Sequence, residues 1–163
     1  MDSIRQILAR LNEHEVEFVV IGGVAAILHG SARATLDVDI CAPLVEPNLS
    51  RIVAALRGSN PRWRTRPDRP PLSDDPEALR GFRNLYLETD MGILDILDEV
   101  TGVGAYDQVL PNSAEIDIGQ MKLRVLTLEA LIRAKHAAAR RKDLEAVKEL
   151  EIIREKLRER GRQ

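Results

Sequence analysis

The chain has 163 residues, 44% hydrophobic and 31% charged, which suits one domain with a real core and excludes a disordered chain. Aromatic residues make up only 3%, so the core must be aliphatic and a base-stacking RNA platform is disfavoured; the net charge of -2 gives no general pull toward nucleic acid or membrane. Cys41 is the lone cysteine, which rules out an internal disulfide and a cysteine zinc cluster, and the longest apolar run, Phe18 to Leu28, is too short to span a bilayer; a cytoplasmic protein without membrane contact is expected.

From the start of the chain, Ile4, Ile7, Leu8 and Leu11 recur at helical spacing behind Asp2 or Ser3 as a cap. A helix over 3–13 is predicted, with no signal-peptide core. Val16 to Ile21 is β-branched and apolar and reads as a buried strand. Gly22-Gly23 makes a turn, Val24 to His29 a short helix, and Gly30 its stop. Leu36 to Ala42 is a second strand, and Pro47 opens a helix that runs through Arg57.

Residues 58–84 hold five of the eight prolines and many arginines, and read as a long loop with a short strand near Trp63. Loops of this length in compact domains are usually functional or mobile. Asn84 to Thr89 and Gly92 to Leu97 are predicted strands, joined by a hairpin across Asp90-Met91. Residues 101–113 read as loop with one helical turn. Glu115 to Ile118 and Met121 to Val125 form a hairpin around Gly119-Gln120. From Thr127, a cap, the chain is helical to about Arg160, with apolar stripes through Leu128, Leu131 and Ile132 and then Leu144, Val147, Leu150, Ile153 and Leu157. The layout is α+β: a short mixed β-sheet backed by helices and a C-terminal helical pair. A single domain, 1–163, is expected, with 1–126 as its α/β core and 127–163 as a helical extension.

Two acids sit inside the second strand. Side chains alternate along a strand, so Asp37 and Asp39 share a face while Val38 and Ile40 point into the core. Like charges so close repel, and burial adds to the cost. A divalent cation removes that cost; Mg²⁺ binds through one or two carboxylates plus substrate phosphates and water. The pair alone is weak evidence, because a chain with this much Asp contains about one Asp-x-Asp by chance, and an exposed strand end with two solvated acids explains it as well. Its context adds weight. Gly22-Gly23 allows backbone N–H groups to approach a phosphate, although it matches neither G-x-G-x-x-G nor a P-loop. Asp95, in GILDIL, is a third acid embedded in a strand; beside Asp39 in a sheet it would serve as metal ligand and general base for a hydroxyl, and otherwise it ends an edge strand.

The stretch GG…HGSARATLDVDI, followed by a lone strand Asp, resembles the nucleotidyltransferase superfamily that includes DNA polymerase beta. Within it, the small bacterial group related to the AbiEii/AbiGii abortive-infection toxins is most similar, because TLEALIRAKHAAARRKDLEAVKEL resembles that group's Lys-rich helix and its Lys-Asp pair. The resemblance covers roughly residues 16–42, 85–100 and 121–150. It implies the nucleotidyltransferase fold, Gly22 and Gly23 holding an NTP, and Asp37, Asp39 and Asp95 as metal-binding and catalytic acids with two Mg²⁺, or Mn²⁺. It also implies nucleotide contacts from Arg33, Thr35, Lys135, Lys142 and Asp143. Ala139 and Arg141 stand where that group has a Gly and often a Pro, so the last two helices are expected to be more continuous here.

Other residues carry less. His29 at the end of the short helix reads as a site-rim group or a helix-terminal structural one, and His14 and His136 lack partners at zinc-ligand spacing. Cys41 reads as a small buried hydrophobe. The segment RWRTRPDR is a basic patch able to meet RNA, and the interleaved charges of EAVKELEIIREKLRER read as a solvated helical face. Three functions are therefore on the table. One is an RNA- or tRNA-directed nucleotidyltransferase of a toxin–antitoxin or phage-defence type with a cognate antitoxin. The others are a small-molecule, antibiotic-type nucleotidyltransferase and a non-catalytic nucleotide- or partner-binding module.

Overall fold

Ile4, Ile7, Leu8 and Leu11 are buried along one stripe of helix α1 (Asp2–Glu13) in the computed structural model, which describes residues 2–162. The chain reverses at Glu15, whose φ is 55°. The first strand is shorter than its apolar run predicts: β1 is Val19–Ile21. Val16 and Phe18 are buried as expected, but the Glu17 backbone bonds the side chain of Asn48, at 2.7 and 3.0 Å, in place of a neighbouring strand. Gly22 and Gly23 are already the first turn of helix α2 (Gly22–Leu28). Strand β2 (Asp37–Cys41) and helix α3 (Asn48–Leu56) follow.

The proline-rich segment is a long connection with the expected short strand at Trp63, and it is anchored to the core. It contains an edge strand, β3 (Arg62–Trp63), and a 3₁₀ turn at Pro76–Leu79 started by Asp75, and Trp63, Leu72 and Leu79 are buried. Strands β4 (Asn84–Thr89) and β5 (Gly92–Leu97) form the expected hairpin. A two-stranded ribbon, β6 (Glu99–Val100) with β7 (Gly104–Ala105), lies before the single turn of α4 (Tyr106–Val109); two-residue strands leave no periodicity to read. Strands β8 (Ser113–Ile118) and β9 (Met121–Leu126) close a six-residue hairpin.

Seven strands form one mixed sheet in the order β3-β4-β5-β2-β1-β9-β8. β2 runs antiparallel to β1 and parallel to β5. The parallel pair requires a long crossover, which α3 and residues 57–84 supply. Its register sets Asp39 directly beside Asp95 and Asp37 beside Ile93.

Helix α5 (Leu128–Ala138) starts at Thr127, whose side chain accepts from the Ala130 N–H, and α6 (Arg141–Gly161) follows. The expected continuity of these helices does not hold. Ala139 adopts φ 52°, a left-handed C-cap, and Arg140 is extended, so the chain turns between them. Alanine carries a Cβ penalty in that region which glycine lacks. Ala139→Gly is expected to stabilise the fold by about 1 kcal/mol, seen as a higher urea midpoint with an unchanged m-value. Among the described residues no helix is long and apolar enough to cross a membrane.

Candidate active site

The two faces of β2 differ sharply. Val38 and Ile40 are fully buried, whereas Asp37 and Asp39 are partly exposed beside a cavity of about 300 Å³. Asp39 is crowded. Burial, then the neighbouring charges of Asp95 and Asp37, push its pKa up to about 6, against the pull of Lys135 and of a hydrogen bond from the Gly23 N–H. Burial also raises Asp95, against a hydrogen bond and charge from Arg64.

The glycines are required by this crowding. Gly22 has φ +62°, and a Cβ on it would collide with the Asp39 carboxylate; one on Gly23 would sit 2.8 Å from the Thr35 hydroxyl oxygen. Gly22→Ala therefore strains the backbone and displaces Asp39. A loss of about 1–2 kcal/mol in stability is expected, measurable by urea titration.

Three cations share this cavity with the acids. Lys135 of α5, Arg140 from the break between helices and Lys142 from the first turn of α6 line the same cavity. Asp143, only 4% exposed, organises two of them: it accepts from Arg140 Nε at 2.6 Å and lies 3.9 Å from the Lys135 ammonium. Burial lowers the Lys135 pKa, and Asp143 and Asp39 are the charges that oppose this. Nine of the ten residues singled out in the sequence line this one cavity: Gly22, Gly23, Arg33, Thr35, Asp37, Asp39, Lys135, Lys142 and Asp143. The tenth, Asp95, adjoins Asp39 in the sheet but turns its carboxylate to Arg64.

Sequence reasoning missed three residues here. Arg140 adjoins the Lys-Asp pair and was a legible candidate. Glu149 hid within charges that read as solvated; it accepts from Ser31 Oγ at 3.0 Å, the Ala32 N–H at 2.8 Å and Arg33 Nε at 3.0 Å, and the Ala32 bond is the main reason its pKa falls. It ties α6 to the loop before Asp37 and holds Arg33 in an ion pair. Arg64 was read as part of a surface patch. That patch is largely committed within the chain: Arg62 donates to the Arg69 carbonyl, Arg64 to Asp95 and Arg69 to Glu88, and Arg66 stacks on Trp63.

His29 is structural, with Nε2 2.7 Å from the Leu126 carbonyl. Cys41 is buried, with its thiol pushed up to about 12 chiefly by burial, and is inert.

The acids suit a divalent cation by their chemistry. Two carboxylates on one strand face, one of them with its charge disfavoured by burial and by like charges, are relieved by a cation. Among the described residues no three His, Cys, Asp or Glu groups converge as a ready-made metal cluster. A cation would thus be held by Asp37 and Asp39 with phosphate oxygens and water completing its shell, the manner in which Mg²⁺ usually binds.

This architecture is the nucleotidyltransferase fold. Its similarity to a solution structure of the antibiotic-resistance factor ANT(2'')-Ia spans 99% of this chain and 95% of that one, with a TM-score of 0.59 and 18% identity. A crystal structure of ANT(2'')-Ia in complex with adenylyl-2''-tobramycin is similar over 97% and 96% of the two chains, with a TM-score of 0.57 and 17% identity. A putative nucleotidyltransferase from Thermotoga maritima shows 20% identity and a TM-score of 0.48 over 95% and 90% of the chains. In sequence, residues 85–162 match a family described as "Nucleotidyl transferase of unknown function" (DUF2204). No curated protein matches the sequence.

Proposed function

We propose that the chain transfers a nucleoside monophosphate from an NTP to the hydroxyl of a small acceptor, with a divalent cation such as Mg²⁺, and releases pyrophosphate. The observation that carries this reading is one cavity lined both by Asp37 and Asp39 and by Lys135, Arg140 and Lys142. The cations would hold the triphosphate, and Gly22 and Gly23 leave room for it beside Asp39. A bound cation would supply charge neutralisation at the reacting phosphoryl group. Asp95, on the next strand, would take the proton of the acceptor hydroxyl once its carboxylate is free of Arg64. The acceptor oxygen then bonds the α-phosphorus as the bond to pyrophosphate breaks.

Two observations support a small acceptor. The arginines of the RWRTRPDR patch are engaged within the chain, which weakens the case for a groove that tracks RNA phosphates there. The fold matches ANT(2'')-Ia over nearly the whole of both chains. The toxin-like reading, with RNA or tRNA as acceptor and an antitoxin as partner, rests on the SARATLD and Lys-Asp resemblance. Incubation with each α-labelled NTP, Mg²⁺ and either a panel of hydroxylated aminoglycosides or total RNA separates the two. Label on a small compound is the expected result; label on RNA alone would transfer the assignment to the toxin-like reading.

A further inference from the structure

Arg64 follows edge strand β3, and its Nη2 donates to both oxygens of Asp95, 2.6 Å from each. The main chain beneath it is fixed. Trp63 is buried, the Arg66 guanidinium lies 3.8 Å from the Trp63 ring centroid, and the Arg64 N–H donates to the Tyr86 carbonyl. Tyr86 is itself the register partner of Asp95 across β4 and β5. The side chain is less settled, for its Nε is buried and has no hydrogen-bond partner among the described residues. A buried donor left unpaired costs about 1–3 kcal/mol, so Asp95 is what holds this pose.

While one guanidinium nitrogen spans both oxygens, the Asp95 carboxylate is occupied. We propose that Arg64 is a positioning residue for Asp95: its guanidinium takes the place of a divalent cation there and must let go before Asp95 engages a cation or the acceptor. The inference rests on the nucleotidyl-transfer reading and adds a sequence of events to it. The exchange breaks no covalent bond; a singly charged group on a short tether yields to a doubly charged ion. Because the backbone of Arg64 is pinned, only its side chain has to move. Asp95 is thus kept paired in the resting protein, where it adjoins Asp39 in the sheet, and becomes available as the site fills.

Mn²⁺ binding to the nucleotide-free protein, followed by electron paramagnetic resonance, tests this without recourse to activity. Arg64→Ala and Arg64→Gln, each checked for folding by circular dichroism, are expected to bind Mn²⁺ about tenfold more tightly than wild type, and the gain should vanish when Asp95→Asn is added. In the unaltered protein, titration with diamagnetic Mg²⁺ should shift the Arg64 Nε–H resonance. Unchanged or weaker Mn²⁺ binding in the folded variants, a gain that persists without Asp95, or an Arg64 resonance indifferent to Mg²⁺ would overturn the inference. If wild type still binds Mn²⁺ with NTP in an Asp37-dependent way, the proposed function survives that failure; if it does not, both fall.

Discussion

Asp39→Asn is expected to lower nucleotidyl transfer by about 10³-fold or more while making the metal-free protein more stable. The two effects share one cause. In the folded chain Asp39 titrates near 6, not at its ordinary 3.8, because burial and the adjacent acids disfavour its charge. Below the lower value the carboxyl is protonated in both folded and unfolded chains, and Asn gains nothing. Between the two values the folded chain holds a proton that the unfolded chain has lost, so wild-type stability falls as pH rises through this window. Above the upper value the folded chain carries the full cost, on the order of 2 kcal/mol after allowing for solvent at a partly open site. Thermal melts in chelator should therefore show Asn and Asp alike near pH 4 and the Asn variant higher by about 4–8 °C at pH 8. A variant less stable than wild type at pH 8 would contradict the account of the acids as a repelling, cation-seeking set.

Asp143→Ala carries the second large effect, of opposite sign for stability. Its carboxylate is buried and is the shared partner of Arg140 and Lys135. Removal leaves the half-buried Lys135 ammonium without the main charge that supports it. A loss of roughly 2–3 kcal/mol is expected, at the low end for a broken buried pair because Arg140 is exposed to water. Catalysis should fall by about 10²-fold in kcat/KM, mostly through a raised KM for NTP, since the cations lose their placement and not their chemistry. Lys135 should also deprotonate at lower pH, so nucleotide binding should fade earlier as pH rises. Asp143→Asn, which keeps the shape and removes the charge, should be intermediate; an NTP KM that ignores both substitutions would remove Asp143 from the nucleotide site.

What could be read from the sequence follows from how locally each feature is encoded. The placement of Asp37, Asp39 and Asp95 was legible because a carboxylate inside an apolar strand breaks a short-range pattern, and parallel pairing of β2 with β5 brings the second break beside the first. The stripe of α1 and the hairpin of β8 and β9 were equally local. The β1 boundary was not, because Val16 and Phe18 are buried as strand residues are, while Asn48, thirty-one residues away from Glu17, takes the hydrogen bonds. Ala139 misled for a related reason: a left-handed alanine is disfavoured locally and is set by the packing of α5 against α6. Arg64 and Glu149 were invisible as site residues because their partners lie 31 and more than 100 residues away in the chain, and a charge in a polar segment gives no sign of where it will point.

The most direct test of the central claim is transfer from an α-labelled NTP by wild type and by the Asp37→Ala/Asp39→Ala double variant, in Mg²⁺, against the small hydroxylated acceptors. Labelled product and pyrophosphate from wild type, and neither from the double variant, is the result expected. Incorporation that survives the loss of both acids would contradict it.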